Sequence, residues 1–291
     1  MMERLVFTNA LGESVELGNR APFSLVTVSG LGDVKAATQT QKSAYRHGSR
    51  YIGTLLEERE IDVEILIEGN NYERVSEYRS MLARIMNPAL GEGILRYEND
   101  YTSVRIRAAL ENVPLSPDGV ENRGERFQKT FIHLLCADPF FFKEKRQDDI
   151  AVWVPAFEMP FEIPESGMEF SHRTPSLITE IINEGHIATG MEIQIKALGK
   201  AKNPRIINVI TQEYLKINKT MVAGEIITID TTKGKKKAVS NVDGPIMRKI
   251  DFAPSTFLQL EVGANLFRYD AEENTERLEV SIYHTPKLVG V

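Results

Sequence analysis

From Ile61 to Ile67 the chain keeps a strict two-residue rhythm: Ile61, Val63, Ile65 and Ile67 are separated by Asp62, Glu64 and Leu66. Side chains of an extended strand point to opposite faces in turn, so this rhythm puts four β-branched residues on one face and two carboxylates on the other. Such a strand cannot stand alone in water. It requires a sheet with one packed and one wet face, and the rest of the chain must supply the neighbours.

Other sheet signals surround it. Leu5 and Phe7, a turn at Asn9-Ala10-Leu11-Gly12, and Val15 and Leu17 at a spacing of two predict a short hairpin. Residues 29–53, rich in Gly, Ser, Thr and Gln, predict a long excursion or exposed arm between strands. One helix is expected over 70–87, where Val75, Tyr78, Leu82 and Ile85 recur at three- and four-residue steps. Asn70 stands at its cap with Glu73 three residues on, and Asn87-Pro88 ends it, because the residue before proline avoids the helical region. Strands follow at 94–97, 104–108 and 127–136, the last apolar on both faces and so expected at a buried centre.

Residues 146–172 change character. Pro155, Pro160, Pro164 and Gly167 among scattered acids predict an extended linker. The chain thus divides into a domain over 1–145, a linker over 146–172 and a second domain over 173–291. Two domains suit this length. In the second, candidate strands at 177–182, 191–197, 206–211, 214–217, 225–230, 257–262 and 278–284 predict an antiparallel sandwich with no helix. The fold class is mainly β.

No reaction is legible in this sequence. His47, His133, His172, His186 and His284 show no metal-ligand spacing, and His133 is expected as a hydrogen-bonded core imidazole. Cys136, the only cysteine, is expected as a small core hydrophobe, since a reactive thiol needs an electropositive, partly exposed setting. Gly30-Leu31-Gly32 lacks the third glycine and the helix of a dinucleotide fingerprint. Lys233-Gly234-Lys235-Lys236-Lys237 is expected as a solvated hairpin tip, its functional alternative being contact with a polyanion such as DNA. The formal net charge of −6 argues against a chain built mainly to coat nucleic acid. No stretch approaches the ~18 uninterrupted apolar residues of a membrane helix, and the N-terminus lacks a signal-peptide core. No cofactor, no metal, no membrane and no enzymatic activity are therefore expected, and the protein should fold in a reducing cytoplasm.

Short motifs then follow one another in a specific order. In the first half they are His47-Gly48, Arg59-Glu60-Ile61 opening the long strand, Tyr78-Arg79-Ser80-Met81-Leu82, Gly93-Ile94-Leu95, and the corner Ala137-Asp138-Pro139-Phe140-Phe141. In the second half a connector from Phe157 to Phe161 leads to Thr174-Pro175, Asn183-Glu184-Gly185 and Leu215-Lys216-Ile217. Gly224-Glu225-Ile226, Asp230-Thr231, Phe257-Leu258-Gln259-Leu260 and Gly263-Ala264-Asn265 complete the series. Together these resemble the distal tail protein family of siphovirus-type phages. The resemblance assigns structural positions to Arg59, Asp138, Pro139, Gly224, Asp230, Gly263 and Asn265.

It implies an N-terminal β-sandwich with one helix, copies of which close into a homo-hexameric ring at the end of the tail tube, and a C-terminal galectin-like sandwich. The protein would be a baseplate hub of the virion tail tip, or of a prophage-derived particle, assembled in the host cytoplasm. Its implied partners are its own copies, the tail tube protein, the tail-tip (tail-associated lysin) protein and receptor-binding proteins, with tape-measure protein and DNA passing through the channel. Ring closure needs a heterologous interface, and the arm at 29–53 is expected to contribute to it. The alternative is a carbohydrate-binding β-sandwich protein of a phage adhesion device. A lectin presents clustered aromatic residues on a sheet face; the only tryptophan, Trp153, falls in the expected linker, so no sugar binding is expected.

Overall fold

The computed structural model describes residues 3–150, 153–155, 171–173 and 178–291. They form two compact units, one of Met1–Lys143 with Leu288–Val291, the other of Glu144–Lys287.

The first unit contains β1 (Arg4–Thr8), β2 (Ser14–Leu17), β3 (Phe23–Ser29), β4 (Ala36–Gln41), β5 (Arg50–Leu56), β6 (Arg59–Glu68), α1 (Tyr72–Ile85), β7 (Gly93–Glu98), β8 (Ser103–Leu110), β9 (Phe127–Cys136) and β10 (Phe141–Phe142). Its main sheet runs β2-β1-β7-β8-β9-β6-β3. The two outer strands meet at a parallel bridge, Gly18 to Ser24, so the sheet curves around its core. The expected sandwich with one helix takes this single-sheet form.

The alternation at 61–67 dictates the centre. Ile61, Val63, Ile65 and Ile67 are all buried, and β6 pairs with β9 over its whole length, from Arg59 opposite Cys136 to Glu68 opposite Phe127. Each buried side chain contributes roughly 1.5–3 kcal/mol relative to exposure. Across this core lies α1, burying Val75, Leu82 and Ile85, with Tyr78 edge-on to Phe23 at 6.0 Å. Its cap is Asn71 rather than Asn70: the Asn71 side chain accepts from the Arg74 N–H at 2.9 Å. Glu73 then sits in the first turn and makes no capping box.

β9 departs from expectation on one face. Gln128, Thr130, Ile132, Leu134 and Cys136 point inward, whereas Phe131, His133 and Leu135 lie half-exposed. His133 is therefore not a core imidazole. Its Nδ1 lies 2.6 Å from Asp62 Oδ1, on the outer face of the β6–β9 pair.

In the second unit one sheet orders Arg146–Asp149, Leu278–His284, Met191–Ala197, Ile226–Asp230, Lys237–Ser240 and Gly244–Pro245. The other orders Ile178–Asn183, Gly263–Asp270, Arg205–Asn208 and Tyr214–Lys216. Both line one core, with Ile193, Ile229 and Ile282 from the first sheet and Ile181, Ile206 and Phe267 from the second. Lys233 to Lys236 form the turn between Ile226–Asp230 and Lys237–Ser240, as a hairpin tip should.

The expected linker is shorter at its start. Residues 146–149 form an edge strand on Leu278–His284, and Ile150 is buried. Trp153–Pro155 pairs with Ser171–Arg173 in a two-stranded ribbon; the rest of 151–172 lies outside the described residues. The strand expected at 257–262 is only a bridge, Thr189 to Leu260, although Leu258 and Leu260 are buried. The true strand is the next segment, Gly263–Asp270.

Candidate assembly site

β4 and β5 pair only with each other, from Ala36 opposite Leu56 to Gln41 opposite Arg50, with a bulge after Gln39. The ribbon they form is the arm expected from composition. Thr38 Oγ1 lies 3.2 Å from Thr54 Oγ1, and the Tyr51 hydroxyl donates to Thr54 at 3.0 Å, fixing one of its faces. No core stands behind it. Tyr45 is fully exposed, and Tyr51, Ile52 and Leu55 are each at least 60% exposed. An isolated two-stranded ribbon is marginal in water, and a solvated apolar edge invites another chain. Its charge is segregated too. Residues 34–56 hold Lys35, Lys42, Arg46 and Arg50 and no carboxylate, in a chain of net charge −6.

The root of the arm is held by Arg59. It takes the first inward position of the row continued by Ile61 and Val63, and is 1% exposed. A guanidinium placed there must find acceptors for its donors. Nε donates to Pro139 O at 2.9 Å; Nη1 donates to Gly30 O at 2.6 Å, Leu31 O at 3.2 Å and Asp33 O at 2.8 Å; Nη2 donates to Val289 O. The cation also lies 4.9 Å from the centre of the Phe141 ring. Burial pulls the Arg59 pKa below its ordinary value, against the opposing pull of Cys136 and Asp33. Burial likewise pushes the Cys136 thiol up to about 12, despite the neighbouring Arg59 charge, so this thiol is inert in the folded state.

Two further contacts close the neck. The Glu57 N–H donates to Lys35 O at 2.9 Å, and Lys35 Nζ pairs with Glu60 at 2.9 Å. Gly30 makes the turn possible: its φ is +86°, and a Cβ there would lie 2.0 Å from Glu60 O. Gly30→Ala is therefore expected to destabilise the first unit by roughly 1–3 kcal/mol through backbone strain alone, with the clash in addition. Gly48→Ala, at φ +79° with open space around it, carries the strain without the clash. Equal urea midpoints for the two variants would contradict this account.

Of the seven sequence positions, Arg59 and Pro139 meet at this root, while Asp138 is exposed and accepts from the Phe140 N–H at 3.4 Å. Gly224, Asp230, Gly263 and Asn265 lie in the second unit as turn formers. Gly224 and Gly263 have φ of +81° and +89°. Asp230 accepts from the Thr232 N–H at 2.9 Å, and buried Asn265 donates to Glu261 O at 2.8 Å and Gly263 O at 3.0 Å. Sequence reasoning missed the carbonyls of Gly30, Leu31, Asp33 and Val289. Only the paired glycines, Gly30 and Gly32, hinted at a close approach.

Among the described residues no group of three His, Cys, Asp or Glu is placed to hold a metal, and no helix is long and apolar enough to cross a membrane. In a cleft of about 570 Å³ lined by Glu3, Arg4, Glu16, Arg20 and Glu98, Arg4 pairs with Glu98 at 2.6 Å and with Glu16 at 3.6 Å. The arrangement at Arg59 grips backbone.

Comparison with known proteins agrees with this architecture. Residues 10–136 match the family model of the phage tail protein RIFT-related domain, and residues 184–287 match that of the siphovirus-type tail component, C-terminal domain. No curated protein sequence matches. Among solved structures, the Dit protein (gp 19.1) of SPP1, described as a paradigm of the hub adsorption apparatus in phages infecting Gram-positive hosts, aligns with a TM-score of 0.70 at 14% identity over 99% of both chains. The baseplate of phage P2 in its activated conformation contains a similar chain, with calcium at a TM-score of 0.53, 10% identity and 100% of both chains. With strontium the figures are 0.51, 11% and 97% of both chains. The two family models follow each other along most of the chain, on a fold shared with a hub protein: it belongs to the siphovirus-type phage tail components, as a distal-tail structural protein.

Proposed function

We propose that the protein closes into a ring of identical copies at the tip of a phage tail, with the arm of each copy laid against the next. The observation that carries this reading is the arm itself, a basic ribbon with exposed Tyr51, Ile52 and Leu55 and no core of its own. Its open edges suit strand-to-strand pairing, and its cations suit a neighbour whose remaining surface is acidic in balance. A head-to-tail contact of this kind closes a ring when the rotation between neighbours divides a full turn, and a hexamer is the expected closure. The ring then serves as a hub between the tail tube protein and the tail-tip protein, with receptor-binding proteins attached outside and tape-measure protein and DNA passing through its hole. Its place is the virion tail, assembled in the host cytoplasm, and its role is architectural, not enzymatic. The second unit fits a galectin-like sandwich directed to those partners. A lectin role lacks its platform: among the described residues of the second unit, Phe252 is the one large aromatic that is well exposed.

Replacing residues 36–56 by two glycines joins Lys35 to Glu57 across a neck already closed by a hydrogen bond of 2.9 Å. Light scattering is expected to give a closed oligomer for the full chain and a monomer for the armless one. An armless chain that still forms the same rings would remove the arm from the interface.

A further inference from the structure

We propose that the segment Leu288–Val291 is a latch on the root of the arm, and that Arg59 is the keeper shared by both. The proposal uses the arm as an assembly element, but its contacts are all within the first unit.

The segment enters that unit as a wedge. Leu288 joins its apolar core. Val289 O accepts from Arg59 Nη2, and the Val291 N–H donates to Leu31 O at 3.3 Å. Gly290 lies so close to the turn that a Cβ on it would stand 2.8 Å from Gly32 O. The segment and Arg59 thus both hold the turn at 30–33, sharing the Leu31 carbonyl. Three of the five carbonyls on Arg59 belong to Gly30, Leu31 and Asp33, one to the segment and one to Pro139.

A guanidinium is a rigid planar fork, so its donors cannot be retargeted singly. If the segment withdraws, Nη2 loses its acceptor and Leu31 loses a donor in a site where unmatched polar groups are costly. Arg59 must then shift or admit water, and either change loosens the carbonyls that aim the arm. Arm and segment are held or released together. The chain reaches this segment from the strand Leu278–His284 of the second unit through residues 285–287.

Cys136 is a built-in reporter, being the only cysteine, buried, and paired opposite Arg59 in the β6–β9 register. Two variants test the latch, a chain ending at Leu288 and the full-length Gly290→Ala. Maleimide labelling of Cys136 and hydrogen exchange at residues 30–36 and 57 are measured with wild type as reference. In both variants labelling and arm-root exchange are expected to quicken at least tenfold, while exchange in the second unit stays unchanged. Wild-type rates in both variants would overturn the latch. Should the shortened chain lose protection throughout, Gly290→Ala decides alone: faster exchange at the root with β1 and β7 still protected supports the latch, and unchanged exchange there overturns it. These readouts need no oligomer. Failure of ring formation leaves the latch standing, and failure of the latch leaves the ring reading standing.

Discussion

Arg59→Met is expected to destabilise the first unit by about 3–5 kcal/mol, the range for removing one side of a buried charged network. Methionine replaces the stem of the side chain, so the loss isolates the guanidinium. Five carbonyls, of Gly30, Leu31, Asp33, Pro139 and Val289, then lack their shared donor. Each fully buried acceptor left unpaired costs roughly 1–3 kcal/mol, and water reaching some of them keeps the total below the simple sum. Arg59→Lys keeps a charge but replaces a five-donor plane by a compact ammonium, so it should recover only part of the loss. Calorimetry is the suitable measurement, because two units give two transitions and only the first should move. A fall of about 10 °C or more in that midpoint is expected. A shift of both transitions together, or a loss below about 1 kcal/mol, would mean that the cage of carbonyls does not hold the unit together.

Where the sequence was legible, local physics and the final packing agreed. The row Ile61, Val63, Ile65 and Ile67 needs only a period of two, and the structure seats it in the core. The helix was equally plain, since Val75, Leu82 and Ile85 share one face whatever the cap. Its start lies one residue later than the sequence suggests, because Asn70 and Asn71 are adjacent and either can cap; only the geometry of the Arg74 N–H selects Asn71. His133 reads as core in the sequence because Phe131 and Leu135 share its face, whereas that face is merely half-covered.

The second unit shows the other source of error. Arg146–Asp149 carries no apolar residue, so no periodicity announced it; it is a strand only because the backbone of Leu278–His284 pairs with it. Gly263–Asp270 begins like a turn, with Gly263 at positive φ, and yet becomes an inner strand between Ile178–Asn183 and Arg205–Asn208. The site at the arm root was the least legible. An arginine can be flagged by a motif, but the carbonyls that hold it are anonymous in sequence, and one comes from Val289, 230 residues away.

Lys219→Met is expected to cost the second unit about 3–5 kcal/mol near neutral pH, and to reverse the way its stability responds to acid. Glu225 is fully buried, and Lys219 Nζ lies 2.5 Å from it and 2.5 Å from Asp243. Burial alone would raise the Glu225 pKa, but hydrogen bonds from Lys219, Ser240 and the Val222 N–H outweigh it and hold the carboxylate below its ordinary value. Burial would lower the Lys219 pKa, and its bonds to Asp243 and Glu225 outweigh that, so it stands raised. In the wild type the depressed Glu225 therefore contributes stability above the ordinary glutamate pKa that is lost as pH falls through its lower folded value. The raised Lys219 contributes stability below the ordinary lysine pKa that is lost as pH rises through its higher folded value. Between those limits the pair leaves stability flat. Without Lys219 the largest stabilising bond to the carboxylate is gone, and burial is left to push the Glu225 pKa above its unfolded value. The folded variant then takes up a proton more readily than its unfolded chain, so lowering pH from 7 to 5 should stabilise it, by up to about 1.4 kcal/mol per unit. Urea unfolding at pH 7, 6 and 5 separates the cases: buried His284, its pKa lowered by burial, lets the wild type fall on acidification, Lys219→Met gains stability relative to it, and Lys219→Met with Glu225→Gln follows the wild-type trend. A Lys219→Met protein that follows wild type on acidification would show that Glu225 remains ionised without its partner, and that Lys219 does not hold this corner of the second unit.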